Sequence, residues 1–552
     1  MSMKNIIMSL LVICFSAHMT LAQNIDPTIE VTRGYKAELV DIHKPVMEMS
    51  VPDSVYRFDL DFDYSVFESP YGGSYEFSPY TVSMKPQVAR YKSPVLYLNA
   101  GAGYTLHPTL DLIYSPDLKG RFGVNVGAHH QSYVGGYRAP HIGSAASGVA
   151  GFKGYDIQSD AGADFTCDWD RTALDFGVSY YGVAVSDFLH KDDFNALDAR
   201  ISVKSKLPWT KAFMYDVSAA YRFGGDSHIR EHLVGLDVRF GPPLKAQRKL
   251  FFDMGGNLAA YQKGAATTFA GVYVLPHYVF QKNWFKADMG LRLSYAASTD
   301  KNPAYKHQYA YPDVRLSCLV GKDVMRLYMN VTGGETLNTY SSLLERNHHF
   351  HSDYALAGSA ALGWSQVRVK PEIGFEGRIT KFFSYDIKGG YSLNAASPFE
   401  AIVRAGEACR PAVGYTDNQQ CYAEFDWALA LESFRFDGTL KYTHTWGVSA
   451  QPENVFLVRP SEWNLDCSAV YNWKKRLYAG VDCEYASSRK TSDAAVYVPY
   501  YVDLGVFAEY AFNRKISVWL RGGNLLDMEI QRNVLFAEKG INFTAGICLI
   551  LQ

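Results

Sequence analysis

The chain has 552 residues, a formal net charge of −2 at pH 7 and an aromatic content of 14%. A charge so close to zero leaves no basic surface of the kind that binds nucleic acid, so we expect no nucleic-acid partner. A chain of this length usually contains several soluble domains, but the residue pattern along the chain is stronger evidence than its length.

Residues 1–22 have the pattern of a secretory signal peptide. Lys4 supplies a positive charge, residues 6–15 form an apolar core, and Ala22 is a small residue at the expected cleavage site. A lipoprotein processed at Cys14 is a second interpretation. We disfavour it because the residue before Cys14 is bulky and the apolar core would be cut short.

The next segment, residues 23–94, is predicted to be a short, extended periplasmic leader. It is rich in Asp, Tyr and Pro, and it lacks the glycine-rich pattern of a compact domain. It is followed by a region in which no segment has the roughly 18 consecutive apolar residues of a membrane-spanning helix. The other structure that crosses a membrane is a closed barrel, in which all backbone groups pair between strands.

Apolar and polar residues alternate along much of the remaining chain, as they do in the wall of a transmembrane barrel. Between residues 433 and 446 every second position is apolar or aromatic, while the positions between them carry Arg, Asp, Thr and Lys. The same alternation recurs at residues 213–223, 285–295, 463–473 and 477–485. Residues 95–552 are therefore predicted to form an all-β fold, a transmembrane antiparallel β-barrel.

We expect about 22 strands, within a range of roughly 18–22, and both termini in the periplasm, because periplasmic turns are short and extracellular loops are long. The longest connections all fall on the outer side if residues 353–378 form one irregular strand. They are residues 135–153, 336–352, 394–418, 447–461, 488–497 and 527–539. A soluble β-sandwich or propeller is the alternative, but the repeat of about 40 residues that a propeller needs is missing.

The polar faces of the predicted strands carry charges of both signs. A mixed lumen suits either a weakly selective channel or charges that pair with one another across strands. The predicted lumen-facing charges are Arg200, Lys204, Arg222, Arg292, Arg435, Lys441, Asp198, Asp216, Asp288, Glu424, Asp426 and Asp482.

Cysteine and histidine residues suggest little chemistry. Cys409 and Cys421 flank one predicted outer loop and are candidates for a disulfide, because export permits oxidation. Cys467 and Cys483 are expected on the lipid face as small apolar residues. An outer-loop cluster of His348, His349 and His351 could bind a metal, but we favour solvated histidines and expect no metal site.

The sequence after the signal peptide contains no GxSxG, P-loop or HExxH motif. No nucleophile, base and orienting group can be placed together from the sequence. We therefore expect neither an enzyme nor a cofactor.

The end of the chain resembles the last two strands of TonB-dependent receptors. The residues are Gly523-Asn524-Leu525-Leu526-Asp527, followed by a glycine-led strand at 539–546. The chain departs from that pattern at its end, where Leu551-Gln552 replaces the usual terminal aromatic residue.

A second resemblance covers most of the chain and implies a barrel without the N-terminal plug of a receptor. The chain resembles plugless TonB-receptor-like proteins of Bacteroidota at residues 31–35, 44–45, 64, 79–81, 84–86, 97–104, 337–340, 345–347 and 373–377. An empty barrel of this size would leak. The leader therefore threads into the lumen, or a partner stops the pore, or the strands are fewer.

Within the leader, the run Thr28, Ile29, Glu30, Val31 and Thr32 resembles a TonB box. Such a box adds an extended strand to a sheet edge of its partner, which a short β-prone run permits. An ordinary tether is the competing interpretation.

Two functions remain open at this point. The first is a receptor-like or porin-like barrel that passes or captures small solutes across the outer membrane. The second is a structural or assembly component whose leader docks a periplasmic partner. The partners expected are outer-membrane lipid, the barrel-insertion machinery and a periplasmic or TonB-like protein.

Overall fold

The computed structural model describes residues 95–551. Within that range, single residues or short segments are excluded at 105, 119, 144, 208–209, 211, 245–246, 263–266, 300–306, 322–324, 355, 357–361, 407 and 449–452. The predicted signal peptide, the leader and the TonB-box-like run Thr28–Thr32 lie outside the described residues. No helix among the described residues has the length and apolar content needed to cross a membrane.

Twenty-two antiparallel strands form the wall of the molecule. They are β1 (Leu96–Gly103), β2 (Thr109–Tyr114), β3 (Phe122–Tyr137), β6 (Phe152–Asp168), β7 (Thr172–Ser186), β8 (Lys191–Ser205), β9 (Met214–Gly225), β10 (Arg230–Gly241), β11 (Arg248–Gln262), β12 (Thr268–Gln281), β13 (Phe285–Ser298), β14 (His307–Val320), β15 (Met325–Asn338), β16 (Gly363–Thr380), β17 (Phe383–Ala405), β18 (Ala408–Ala430), β19 (Phe434–Trp446), β21 (Trp463–Trp473), β22 (Leu477–Ala486), β25 (Tyr501–Ala511), β26 (Ile516–Gly523) and β27 (Asn542–Leu551).

Shorter elements lie in the connections between these strands. They are β4 (His141–Ile142), β5 (Ala145–Ala146), β20 (Val455–Leu457), β23 (Arg489–Lys490), β24 (Tyr497–Val498), the helix α1 (Tyr340–Arg346) and a single 3-10 turn (Ser352–Tyr354).

Each wall strand pairs with its two neighbours in chain order, and β27 pairs back onto β1 to close the ring. The closing register runs from Leu96 opposite Leu551 to Gly103 opposite Thr544. Inside this seam the indole of Trp519 donates a hydrogen bond to Asn99 and covers Gly546, where a Cβ would lie 2.4 Å from the ring. The predicted all-β, 22-strand barrel is confirmed.

The two faces of the wall differ as the alternation predicts. Large apolar side chains such as Leu197, Ile201, Leu291 and Leu293 are exposed on the outside. In a soluble protein these side chains would form the core, whereas in a membrane lipid covers them. The barrel therefore presents an apolar exterior suited to a bilayer.

The connections on the two ends of the barrel also differ. One end has short turns such as 169–171, 282–284 and 474–476, while the other has the long connections 138–151, 339–362, 447–462, 487–500 and 524–541. Short periplasmic turns and long extracellular loops assign the second end to the cell exterior.

Two details of the predicted loops are wrong. Residues 353–378 are not one strand, because β16 begins only at Gly363 and the preceding residues belong to the loop. Residues 394–418 are not an irregular loop, because β17 and β18 continue their pairing as far as Ala405 and Ala408. This hairpin extends beyond its neighbours, and β20 pairs with its outer part.

The extended hairpin also makes the predicted disulfide between Cys409 and Cys421 wrong. Both cysteines are free and lie in the same strand, β18, twelve positions apart. Because a strand rises about 3.3 Å per residue, this spacing separates them by about 40 Å, whereas the Cα atoms of a disulfide lie within about 7 Å.

Cys467 and Cys483 face each other across β21 and β22. They are on the same face as the exposed side chain of Tyr471, which is the lipid side. Both remain free thiols.

Candidate functional site

One outer connection folds into the mouth of the barrel instead of extending away from it. We call residues 339–354, which follow β15, the crossing loop. It begins with α1, whose first turn is capped reciprocally by Thr339 and Ser342. Such a capping box satisfies two backbone N–H groups that would otherwise lack partners. The helix therefore starts at a fixed residue, immediately after the strand.

The buried face of α1 packs on the inner wall. Tyr340, Leu343 and Leu344 join one apolar cluster with inward-facing residues of the surrounding strands, including Phe194 and Phe269. The rings of Tyr340 and Phe194 are 5.4 Å apart. The helix is therefore held inside the rim of the lumen.

Polar contacts fix the same helix. The hydroxyl of Tyr340 donates a hydrogen bond of 2.7 Å to Asp226. The carboxylate of Glu231 accepts bonds from the hydroxyl of Tyr261, at 2.8 Å, and from the backbone of Ser341. Glu231 is fully buried at this contact. A buried polar group is costly unless it is paired, so these bonds favour the inward position of α1.

Beyond α1 the loop reaches the opposite side of the barrel. His348 bonds to Asp156 of β6 at 3.0 Å, and the ring of His349 lies 6.2 Å from that of Tyr137, at the end of β3. Counted round the ring of 22 strands, β3 is ten strands from β15, where the loop starts, in one direction and twelve in the other. The crossing loop thus spans the diameter of the mouth.

Burial and hydrogen bonding act in opposite directions on the ionisable groups of this loop and its neighbour. Burial alone would lower the pKa of His348, but its bond to Asp156 raises that pKa above its ordinary value. Burial alone would raise the pKa of Asp187, but bonds from His349 and from the backbone hold it below its ordinary range. The first contact therefore favours the protonated form of His348, and the second favours the ionised form of Asp187.

A second connection, residues 524–541 between β26 and β27, also folds inward, and we call it the closing loop. The side chain of Asn524 bonds to the backbone of Met528 and Lys539, joining the two ends of the loop. Its Arg532 bonds to Glu484 at 2.6 Å and to Asp503 at 2.8 Å. Both carboxylates belong to wall strands, so the guanidinium fastens the closing loop to the barrel.

The remaining long connections pack against the closing loop. A buried apolar cluster joins residues from three of them, from the extended hairpin of β17 and β18 and from the closing loop with Phe188 of the connection between β7 and β8. We call this cluster the outer cap. Its members are Ile142, Ile402, Cys409, Phe456, Val458, Val496, Val498, Val534 and Leu535.

Below the mouth, the charges predicted to face the lumen lie opposite the exposed apolar side chains, and most have a partner of opposite sign. Arg200 pairs with Asp164, Arg222 with Asp198, and Lys388 with both Glu424 and Asp426. Arg435 also pairs with Asp437, and Asp288 pairs with His277. Arg292 lies over the ring of Tyr273, and Asp216 lies opposite Lys204 and Arg239 in the neighbouring strands.

One of these pairs extends to the crossing loop. Arg222 also binds Glu345 of α1 at 2.9 Å. The lumen charges and the loop therefore form one connected network at this side of the barrel.

The histidines of the crossing loop are not solvated, contrary to expectation. His349 and His351 are both more than 90% buried. The ring of His351 stacks on that of His190 at 3.9 Å and meets His228 and Asp192. Sequence reasoning missed His190, Asp192 and His228, because they lie in other parts of the chain and no local pattern marks them.

The comparisons with known proteins bear on this architecture. No protein-family model matches the chain. No curated protein matches it either.

Solved structures do match. A ferric enterobactin receptor (PfeA) mutant from Pseudomonas aeruginosa superposes with a TM-score of 0.60 at 10% identity, over 83% of this chain and 80% of that one. The FrpB iron transporter from Neisseria meningitidis gives 0.61 at 10% identity, over 84% and 83%. A structure described as the copper transporter OprC gives 0.61 at 11% identity, over 86% and 85%.

At such low identity the likeness concerns the fold. It extends over most of the chain and agrees with the 22-strand ring, the apolar exterior and the asymmetric loops described above. This chain therefore has the fold of the outer-membrane receptor barrels.

Proposed function

We propose that this protein is a receptor-type barrel of the outer membrane, which captures a small solute at its outer mouth and passes it inward when the crossing loop moves. The observation that carries this proposal is the path of the crossing loop. It spans the diameter of the mouth, from β15 to Asp156 and Tyr137, so a solute must displace it to enter.

The contacts of the crossing loop suit a movable element. Its far end is held by two histidine–carboxylate bonds, His348 to Asp156 and His349 to Asp187. Contacts of this kind contribute little once water can replace them. The apolar contacts of the loop are made by α1 and, beyond it, by Phe350 and Tyr354.

The fold supports the same proposal. The matched structures are described as a receptor for ferric enterobactin and as transporters of iron and of copper. A scaffold that only anchors an envelope partner has no need of a loop across its lumen. The scaffold function is nevertheless the alternative that an experiment must exclude.

The N-terminal region completes the proposal. Residues 1–22 act as signal peptide, residues 23–94 as leader, and residues 95–552 as barrel. The run Thr28–Thr32 would dock on a TonB-like periplasmic partner by strand addition. Val31→Pro removes a backbone donor that strand addition needs. The variant should therefore lose co-purification with such a partner, while Val31→Thr should keep it.

Single-channel recording tests the transport function. Replacement of residues 340–354 by a short Gly-Ser linker should raise the conductance of the purified barrel several-fold, because it removes the segment that spans the mouth. Gly-Ser replacement of residues 115–118, in a turn on the opposite end of the barrel, should leave the conductance unchanged.

The comparison is valid only if both variants migrate in gel electrophoresis as folded, heat-modifiable barrels. If the folded barrel stays silent after removal of residues 340–354, transport through the lumen is refuted and the scaffold function is favoured.

A further inference from the structure

Three elements that are distant in sequence bring metal-binding side chains together at the mouth. Asp192 is the second residue of β8, His228 lies in the connection between β9 and β10, and His351 belongs to the crossing loop. One ligand atom of each lies within 4.8 Å of the others. None of the three is needed to hold the wall together, because strand pairing does that.

The distances between these atoms fit a shared ion. Nε2 of His351 is 3.2 Å from one oxygen of Asp192, and Nε2 of His228 is 3.5 Å from the other. Two ligands bound to one tetrahedral ion at about 2.0–2.1 Å lie about 3.3 Å apart. The two histidine–carboxylate distances therefore match the edges of a metal site to which Asp192 contributes both of its oxygens.

The strongest single indication is Nε2 of His351. His351 is 6% exposed, and its Nε2 is buried without a hydrogen-bond partner among the described residues. The nearby Asp192 oxygen is close enough but does not lie in hydrogen-bonding geometry. A buried nitrogen of this kind carries a desolvation cost, which a bound cation would offset.

The surroundings of His351 orient it for this role. Its other nitrogen, Nδ1, contacts the carboxylate of Asp353, and the ring of His190 covers one of its faces at 3.9 Å. A carboxylate on the far nitrogen is the usual outer-shell partner of a metal-binding histidine, because it fixes the ring and its tautomer. Asp353 is thus a positioning residue. The half-exposed side chain of His228 gives an ion access from outside.

We propose that Asp192, His228 and His351 bind one divalent transition-metal cation, which fastens the crossing loop to the barrel wall. Two imidazoles and one carboxylate favour Zn²⁺, Ni²⁺ or Cu²⁺ over Ca²⁺ or Mg²⁺, which prefer oxygen ligands. This inference does not depend on transport, because the ion links two parts of the same chain whatever the lumen carries.

Zinc titration tests the site. The full mature protein is purified in detergent with a streptavidin-binding tag, so that no polyhistidine competes, and is stripped with EDTA. Zn²⁺ is then titrated against a chromogenic chelator. Wild type should bind one Zn²⁺ per chain. His228→Ala and Asp192→Asn should each weaken binding by at least about tenfold, and Asp353→Asn by about 10–100-fold.

The matched control is His141→Ala, which alters an exposed histidine of another outer connection and should leave the affinity unchanged. Co²⁺ provides a spectroscopic readout, because its visible absorption should appear with wild type and disappear with His228→Ala. Absence of stoichiometric Zn²⁺ binding by wild type, or equal affinity in wild type, His228→Ala and Asp192→Asn, would overturn the proposal.

Limited proteolysis tests whether the ion fastens the crossing loop to the barrel wall. Zn²⁺ should slow cleavage within residues 339–354 in wild type and have no such effect in His228→Ala. His228 is exposed enough for its loss to leave the fold intact, which heat modifiability verifies. Binding of Zn²⁺ without any protection of the loop would refute the fastening role.

Discussion

The imidazole ring of His349 lies flat against the phenyl ring of Phe536, with the ring centroids 4.1 Å apart and the planes inclined by 5°. The first residue belongs to the crossing loop and the second to the closing loop. Phe536 also lies 5.3 Å from Phe188 of a third connection. One side chain thus joins the inward loops to the outer cap.

Phe536→Ala should loosen both loops without affecting the wall. Phe536 is 3% exposed, and truncation of a buried phenylalanine typically costs about 3–5 kcal/mol. We expect faster hydrogen exchange in residues 339–354 and 524–541. Phe512→Ala, in an exposed turn on the other end of the barrel, is the control. Unchanged exchange in both loops would contradict the joining role of Phe536.

Alkaline pH should release the far end of the crossing loop. The bond to Asp156 raises the pKa of His348 above its ordinary value of 6.5, although burial opposes this shift. A raised histidine pKa contributes stability that is fully present below the ordinary value and is lost as the pH rises through the raised value. Protease protection of residues 339–354, measured in EDTA, should therefore fall as the pH is raised from about 6 into the alkaline range.

Asp156→Asn provides the control for this pH dependence. The asparagine cannot form the charged pair, so protection should already be low at about pH 6 and change little on titration. A wild-type loop that is equally protected throughout this range would show that the pair does not hold it.

The cysteines should all remain reduced in the folded protein. Seven free cysteines are present among the described residues, and Cys409 and Cys421 are too far apart to bond. Thiol counting after denaturation without reductant should give seven free groups. A peptide containing Cys409 linked to Cys421 would refute the pairing of β17 with β18.

A charge on the lipid face of the wall should interfere with membrane insertion, whereas a charge at the neighbouring position on the opposite face should be tolerated. Ile201 is exposed on the lipid face of β8, and Ser202 lies on the opposite face beside Asp175 of β7. An arginine on the lipid face costs up to about 2–4 kcal/mol at the bilayer midplane. Ile201→Arg should therefore fold less efficiently into vesicles than Ser202→Arg. Equal folding of the two would contradict the assignment of faces.

The wall was predictable from sequence because its signal is local. In β13, the alternation of Met289, Leu291 and Leu293 with polar neighbours can be read within a few residues. Short turns and long loops then fixed the direction of each strand. The same reasoning gave a wrong prediction at Cys409, because β18 continues to pair with β17 beyond the part of the strand that crosses the membrane.

The mouth was not predictable in the same way. Tyr340 bonds to Asp226 across 114 positions, and His349 bonds to Asp187 across 162. No periodicity connects residues so far apart. A run of histidines in a polar loop suggests solvent exposure unless the position of the surrounding wall is already known, and only the ring of 22 strands brings His228 and Asp192 beside His351.

The pairing of β1 with β27 has a consequence for assembly in the cell. A chain that lacks β27 presents two unpaired margins, at β1 and at β26, and such margins invite association with other chains. Folding to completion must therefore wait for the final strand. We expect chains that stop before Asn542 to be degraded or to aggregate, and not to accumulate as smaller pores.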